Sequence, residues 1–120
     1  MVARRRILLV DDEPEFLGAL RRLVEDVRPG TVVVYACDVP TAEWQLQSTS
    51  LCYVFTDLRM QGDALAGLRV VEAARKVNVP VAVITATELT DAGLLTVPIV
   101  QKMGDIREQL RKLIVASVGD

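Results

Sequence analysis

Five short apolar runs, rich in β-branched residues, alternate along the chain with segments of helical periodicity. No linker or low-complexity stretch separates them. The runs are Arg5 to Val10, Thr31 to Ala36, Leu51 to Thr56, Pro80 to Thr85 and Val97 to Gln101. Runs that are continuously apolar suit strands buried on both faces, the condition of a parallel sheet covered by helices on either side. Pro98 places the fifth run at an edge, since proline cannot donate to a central ladder. An edge position for the fifth strand is what the doubly wound order 2-1-3-4-5 requires. The expected fold is thus α/β, a doubly wound (βα)5 sandwich around a five-stranded parallel sheet of that order.

The helical segments carry start and stop signals. Asp12 or Glu13 is expected to cap a first helix with Pro14 in its first turn. Its inner face would hold Phe16, Leu20, Leu23, Val24 and Val27, and Pro29-Gly30 would stop it. A short helix is expected over Thr41 to Thr49, with Trp44 read as a packing residue. A third spans Leu65 to Val77, with Leu68, Val71 and Val77 inward and Asn78 as terminator. Asp105 can cap a last helix whose shared face is Ile106, Leu110, Leu113, Ile114 and Val118. Residues 86–96 sit at the lower limit of roughly 10–12 residues for a complete crossover with its helix. They predict one or two turns or an irregular segment there.

The chain has 120 residues, read as a single domain over 1–120, and 51% of them are hydrophobic, enough for a real core. With 25% charged residues and a net charge of −2, neither disorder nor a nucleic-acid-binding stripe is expected. There is no histidine, so imidazole catalysis and imidazole metal ligation are excluded, and any metal must be oxygen-ligated, favouring magnesium, manganese or calcium. The arginines before the first run resemble a signal peptide only superficially, since that run ends at Asp11-Asp12-Glu13. No stretch approaches membrane-spanning length. The reading is a cytoplasmic protein whose Cys37 and Cys52 are buried free thiols.

The chemistry lies at the ends of the runs. The first ends in Asp11-Asp12, the third in Asp57, the fourth in Thr85 and the fifth in Lys102. In parallel strands these groups gather at the carboxyl edge of the sheet, where open α/β folds place their ligands. Packed carboxylates raise one another's pKa unless a cation compensates. A divalent ion and Lys102 can do so. Each residue also has a plainer reading: Asp11 and Asp12 as helix caps, Asp57 as a turn residue, Thr85 as a strand-end cap, Lys102 as a solvated charge.

Leu-Val-Asp-Asp at 9–12, Thr-Asp-Leu-Arg-Met at 56–60, Ile-Thr-Ala at 84–86 and the lysine at 102 resemble the receiver domains of two-component response regulators, of CheY-like, flavodoxin-like fold. The resemblance covers the whole chain and implies that Asp57 is the phosphoacceptor. It implies a Mg²⁺ ion held by Asp11, Asp12, Asp57 and the backbone carbonyl of Arg59, with Thr85 and Lys102 on phosphoryl oxygens. The implied donor is a sensor histidine kinase or a histidine phosphotransfer protein. A downstream protein or effector domain would receive the signal, and a weak homodimer is compatible with it. Nucleic acid and membrane are not implied as partners of this domain, and its chemistry would be confined to its own phosphorylation and dephosphorylation.

The chain also departs from the family pattern. Met103 follows the lysine in place of the usual proline, which predicts a trans peptide there. Ile99 replaces the usual aromatic switch residue. The segment after Asp57 lacks the customary proline after Met60 and is longer than usual before Gly67. These departures leave the acceptor residues whole and alter the output side. The alternative is a pseudo-receiver, an interaction module of the same fold that does not switch by phosphorylation. A magnesium phosphatase would need a general acid that Arg59 is not at neutral pH. A flavin site would lack a phosphate cradle after the first run.

Overall fold

The computed structural model describes residues 5–86 and 97–118. Its elements are β1 (Arg6–Val10), α1 (Pro14–Val27), β2 (Val32–Ala36), α2 (Val39–Ser48), β3 (Tyr53–Asp57), α3 (Ala66–Lys76), β4 (Val81–Thr85), β5 (Ile99–Gln101) and α4 (Ile106–Val118). All strand pairs are parallel, and the order is β2-β1-β3-β4-β5. The expected doubly wound α/β fold is therefore present, with β5 at one edge. Pro98 stands just before β5 and accepts the Val83 N–H through its carbonyl at 3.0 Å.

The sheet is buried on both sides, and the period-2 alternation of its strands divides the core. Leu8, Val10, Val54 and Val83 face α2 and α3, meeting Ala42, Leu46, Val70 and Ala74. Ile7, Leu9, Phe55 and Ile84 face α1 and α4, meeting Leu20, Val24, Leu110 and Ile114. All five residues of β4 are buried, as a central parallel strand requires.

Several expectations are corrected. The α2 helix begins at Val39 rather than Thr41, because the Asp38 carboxylate accepts the Thr41 N–H at 2.8 Å and caps it two residues earlier. Its buried stripe is Val39, Ala42 and Leu46. Trp44, two positions from either of the last two, is turned to solvent at 61% exposure and does not pack in the core. Val77 is exposed at the end of α3, where Val70 and Ala74 supply the inner face. Asn78 terminates that helix with φ +58°, as its type permits. In α1, Leu17 joins Leu20 and Val24 as a buried contact.

The cysteines are free but not buried. Cys37 is exposed and Cys52 half-buried, its thiol donating to the Arg6 carbonyl at 3.1 Å. They follow and precede strands at opposite ends of the sheet. The reading of a shortened crossover falls on residues 87–96, outside the described residues. Among the described residues every peptide bond is trans, and no helix is long and apolar enough to cross a membrane.

Candidate functional site

The carboxyl edge of the sheet collects the acids that the strand ends promised. Asp11 directly follows β1, and its N–H extends the ladder to the Ala36 carbonyl at 3.1 Å. Its side chain is 2% exposed. One oxygen, Oδ1, accepts the Glu13 N–H at 2.9 Å at the start of α1. Glu13 holds the cap position, one of the two expected, but makes no side-chain cap bond, and Asp11 reaches forward to its N–H instead. Asp12 is exposed, and its Oδ2 accepts the Gln61 N–H at 2.9 Å. Asp57 ends β3 half-buried, its Oδ1 accepting the Leu58 N–H at 2.8 Å. One carboxylate oxygen from each of the three acids lies within 4.8 Å of the others.

Lys102 completes the group from the far edge. Its Nζ lies 3.3 Å from Asp11 Oδ2 and 3.2 Å from Asp57 Oδ2, and only 17% of the side chain is exposed. The same ammonium stands 4.1 Å from the centroid of the Phe16 ring. A cation over an aromatic face is attracted by its quadrupole. The Lys102 N–H donates to the Thr85 carbonyl at 3.0 Å, which ties the lysine's backbone to the end of β4. Thr85 is buried, and it lines an open depression of about 370 Å³ together with Asp12, Asp57, Arg59, Gly62, Ala86 and Lys102. Asp11 lies beside Asp57 and Lys102 but does not line the depression. Every residue expected at the site is thus brought to one edge. The Arg59 side chain is exposed there.

Electrostatics follow from this packing. Burial, the largest influence, pushes the Asp11 carboxyl up to about 6; the Asp57 charge adds to it, while the Glu13 N–H and Lys102 oppose it. For Lys102, burial favours the neutral amine, but the charges of Asp11 and Asp57 outweigh it and hold the ammonium above its ordinary value. Three carboxylates facing one ammonium leave an excess of negative charge, and oxygen donors at this spacing suit a hard divalent cation.

Three contributors were not legible as site residues. Phe16 reads as one more apolar position of α1, although a first-turn place after β1 sets it at the carboxyl edge. Gln61 acts through its main chain. Gly67 sets the start of α3 against the end of β3: its N–H donates to the Leu58 carbonyl at 2.8 Å, and a Cβ there would collide with the Asp57 carbonyl oxygen. The missing proline and the extra residues before Gly67 were the available signal for the last two.

Solved structures share this architecture. A response regulator receiver protein from Sinorhizobium medicae aligns with a TM-score of 0.78 at 22% identity, over 98% of this chain and 94% of that one. The receiver domain of a sensor histidine kinase from Pseudomonas aeruginosa, solved with magnesium coordinated in its active-site cleft, aligns at 0.80 and 20% identity, over 98% and 100% of the two chains. A phosphorylated cyanobacterial phytochrome response regulator aligns at 0.79 and 16% identity, over 97% and 95%. At these identities the likeness concerns the fold. A search of curated proteins gives no match. The family model of the response regulator receiver domain matches residues 7–113, and with the acidic trio at the edge of a CheY-like sheet this chain belongs to that family.

Proposed function

We propose that this receiver domain is a phosphoacceptor and that Asp57 takes the phosphoryl group. An Asp57 carboxylate oxygen attacks the phosphorus of a phosphohistidine on a sensor kinase or phosphotransfer protein. The O–P bond forms as the N–P bond breaks, and the imidazole leaves with the bonding pair and takes up a proton. Phosphoryl transfer asks mainly for positioning and for neutralised charge. Lys102, held between Asp11 and Asp57, would move to a phosphoryl oxygen, and the Thr85 hydroxyl would donate to another. The observation that carries the reading is the Lys102 ammonium at 3.2 Å from Asp57 Oδ2 beside two further carboxylates.

Mg²⁺ would be held by Asp11, Asp12, Asp57 and the Arg59 carbonyl, and when bound it offsets charge on the transferring group. The reaction would be confined to the domain's own phosphorylation and hydrolysis, and an effector domain or downstream protein would read the result. The test is incubation with acetyl phosphate, with and without Mg²⁺, followed by intact mass. The wild type gains a phosphoryl group only with Mg²⁺, and Asp57→Asn gains none while keeping its fold. Full labelling of Asp57→Asn would overturn the assignment.

A further inference from the structure

The segment after Asp57 closes into a two-residue hairpin. Met60 and Asp63 exchange both main-chain hydrogen bonds, at 3.0 and 2.9 Å. The two residues between them, Gln61 and Gly62, stand at φ +53° and +76°. Positive φ at both central positions is the type I′ geometry, which glycine adopts freely and glutamine does not. The hairpin is nevertheless secured at each end. Met60 is buried, and the Asp63 carboxylate pairs with Arg69 of α3 and accepts the Leu65 N–H at 2.9 Å. At the tip, the Gln61 side-chain amide reaches the Cys37 carbonyl at 3.4 Å, and its main-chain N–H meets Asp12 Oδ2 at 2.9 Å.

Asp12 is the exposed member of the acidic trio, and among the described residues no other hydrogen bond holds its carboxylate. We propose that Gln61 is a positioning residue for the metal site. Its main-chain N–H takes one oxygen of Asp12 and so fixes the carboxylate, leaving the second oxygen for the cation. The inference rests on the reading of Asp11, Asp12 and Asp57 as a Mg²⁺ site. Groups that orient a metal ligand from behind are worth on the order of 10–100-fold in metal affinity. The left-handed turn is what aims the N–H, so the positive φ at Gln61 and the bond to Asp12 are one device. Proline, with no N–H and φ fixed near −65°, can supply neither.

The test is Mg²⁺ affinity by isothermal titration calorimetry on the full chain. Gln61→Pro is expected to weaken Mg²⁺ binding about tenfold or more. Gln61→Gly, which keeps the N–H and eases the turn, is expected to recover most of that loss. A second measurement does not depend on the proline variant folding: amide exchange at Gln61 in the metal-free protein. Protection at Gln61 should fall at least severalfold in Asp12→Ala, where the acceptor is gone, and stay unchanged at the neighbouring ladder amides of β1. A wild type that binds Mg²⁺ with Gln61→Pro binding it equally well overturns this inference alone. So does Gln61 protection that ignores the loss of the Asp12 carboxylate. A wild type that binds no Mg²⁺ overturns the metal reading and takes this inference with it.

Discussion

The acidic half of the site and its cation are mounted in different ways. Asp11 and Asp57 leave the ends of β1 and β3, each of which is paired on both sides and buried over Ile7 to Val10 and Tyr53 to Thr56. Lys102 leaves β5, a three-residue edge strand that among the described residues pairs only to β4, and the chain beyond it is exposed. Met103 is 78% exposed, and Gly104 turns at φ +112°. The free side of β5 is satisfied by a side chain: the Gln109 amide accepts the Gln101 N–H at 2.9 Å and donates to the Gln101 carbonyl at 3.2 Å, as a further strand would. The sheet therefore fixes where the carboxylates stand. The lysine is fixed by what it touches, two carboxylates and the Phe16 ring. Asp11 and Asp57 are held by the buried sheet, and Lys102 is the charged group held by side-chain contacts alone; on the proposed reading it is the one that would follow the phosphoryl group.

The largest effect expected from breaking this arrangement is that of Lys102→Ala. It removes the ammonium seated on Asp57 and leaves the scaffold of β1 and β3 in place. Losing one charged stabiliser of a transition state costs on the order of 100-fold in rate. The rate of labelling by acetyl phosphate at saturating Mg²⁺ should fall by about that factor, while the far-ultraviolet circular dichroism stays native. Labelling at the wild-type rate would show that the edge-borne lysine is dispensable.

Gly67→Ala attacks the other half. The added Cβ would lie 2.8 Å from Leu58 Cα and would press on the carbonyl of Asp57 itself. Both are backbone atoms, so the start of α3 must shift away from the end of β3. Overpacking of this kind costs about 1–3 kcal/mol. Urea unfolding should report a loss of that size, and labelling should slow as well because the acceptor is displaced. An unchanged midpoint would mean that the mounting of Asp57 is softer than its burial suggests.

The same contrast governs what the sequence discloses. The strands and their order are legible because the middles of β1, β3 and β4 are buried on both faces and are apolar there. Pro98 marks an edge for an equally local reason. Asp11, Asp12, Asp57, Thr85 and Lys102 are legible because a strand end is a fixed place, and five chemically matched residues occupy such places. Less legible is whatever depends on contact across the fold. The Gln61 N–H meets a carboxylate 49 positions away, and no side-chain type announces it. Phe16 serves core and cation at once, and a helical pattern shows only the first. Trp44 reads as a packing residue by its type alone, whereas the buried stripe of α2 is Val39, Ala42 and Leu46 and the indole faces solvent. Cys37 reads as buried because its residue type usually is, whereas it stands exposed just past the end of β2.

The smallest effect is a change in slope with pH, and its sign separates the buried acid from its neighbours. Burial holds the Asp11 carboxyl up to about 6 from an ordinary value of 3.8, so between those values the folded chain binds more protons there than the unfolded one. Stability from this group is full below about 4 and is lost as pH rises through about 6. Asp38 and Glu108, whose pKa values are lowered by hydrogen bonds from Thr41 and Arg111, act in the opposite sense. Asp11→Asn isolates the contribution: without metal, the variant should gain on the wild type as pH rises from about 4 to about 7. Mg²⁺ should reverse the slope, since the cation competes with that proton and its affinity should fall as pH drops through about 6. Thermal midpoints of both proteins from pH 4 to 8, with and without Mg²⁺, decide the matter. Parallel curves without metal would show that Asp11 titrates as an ordinary surface acid, and that the rigid half of the site is not electrostatically strained.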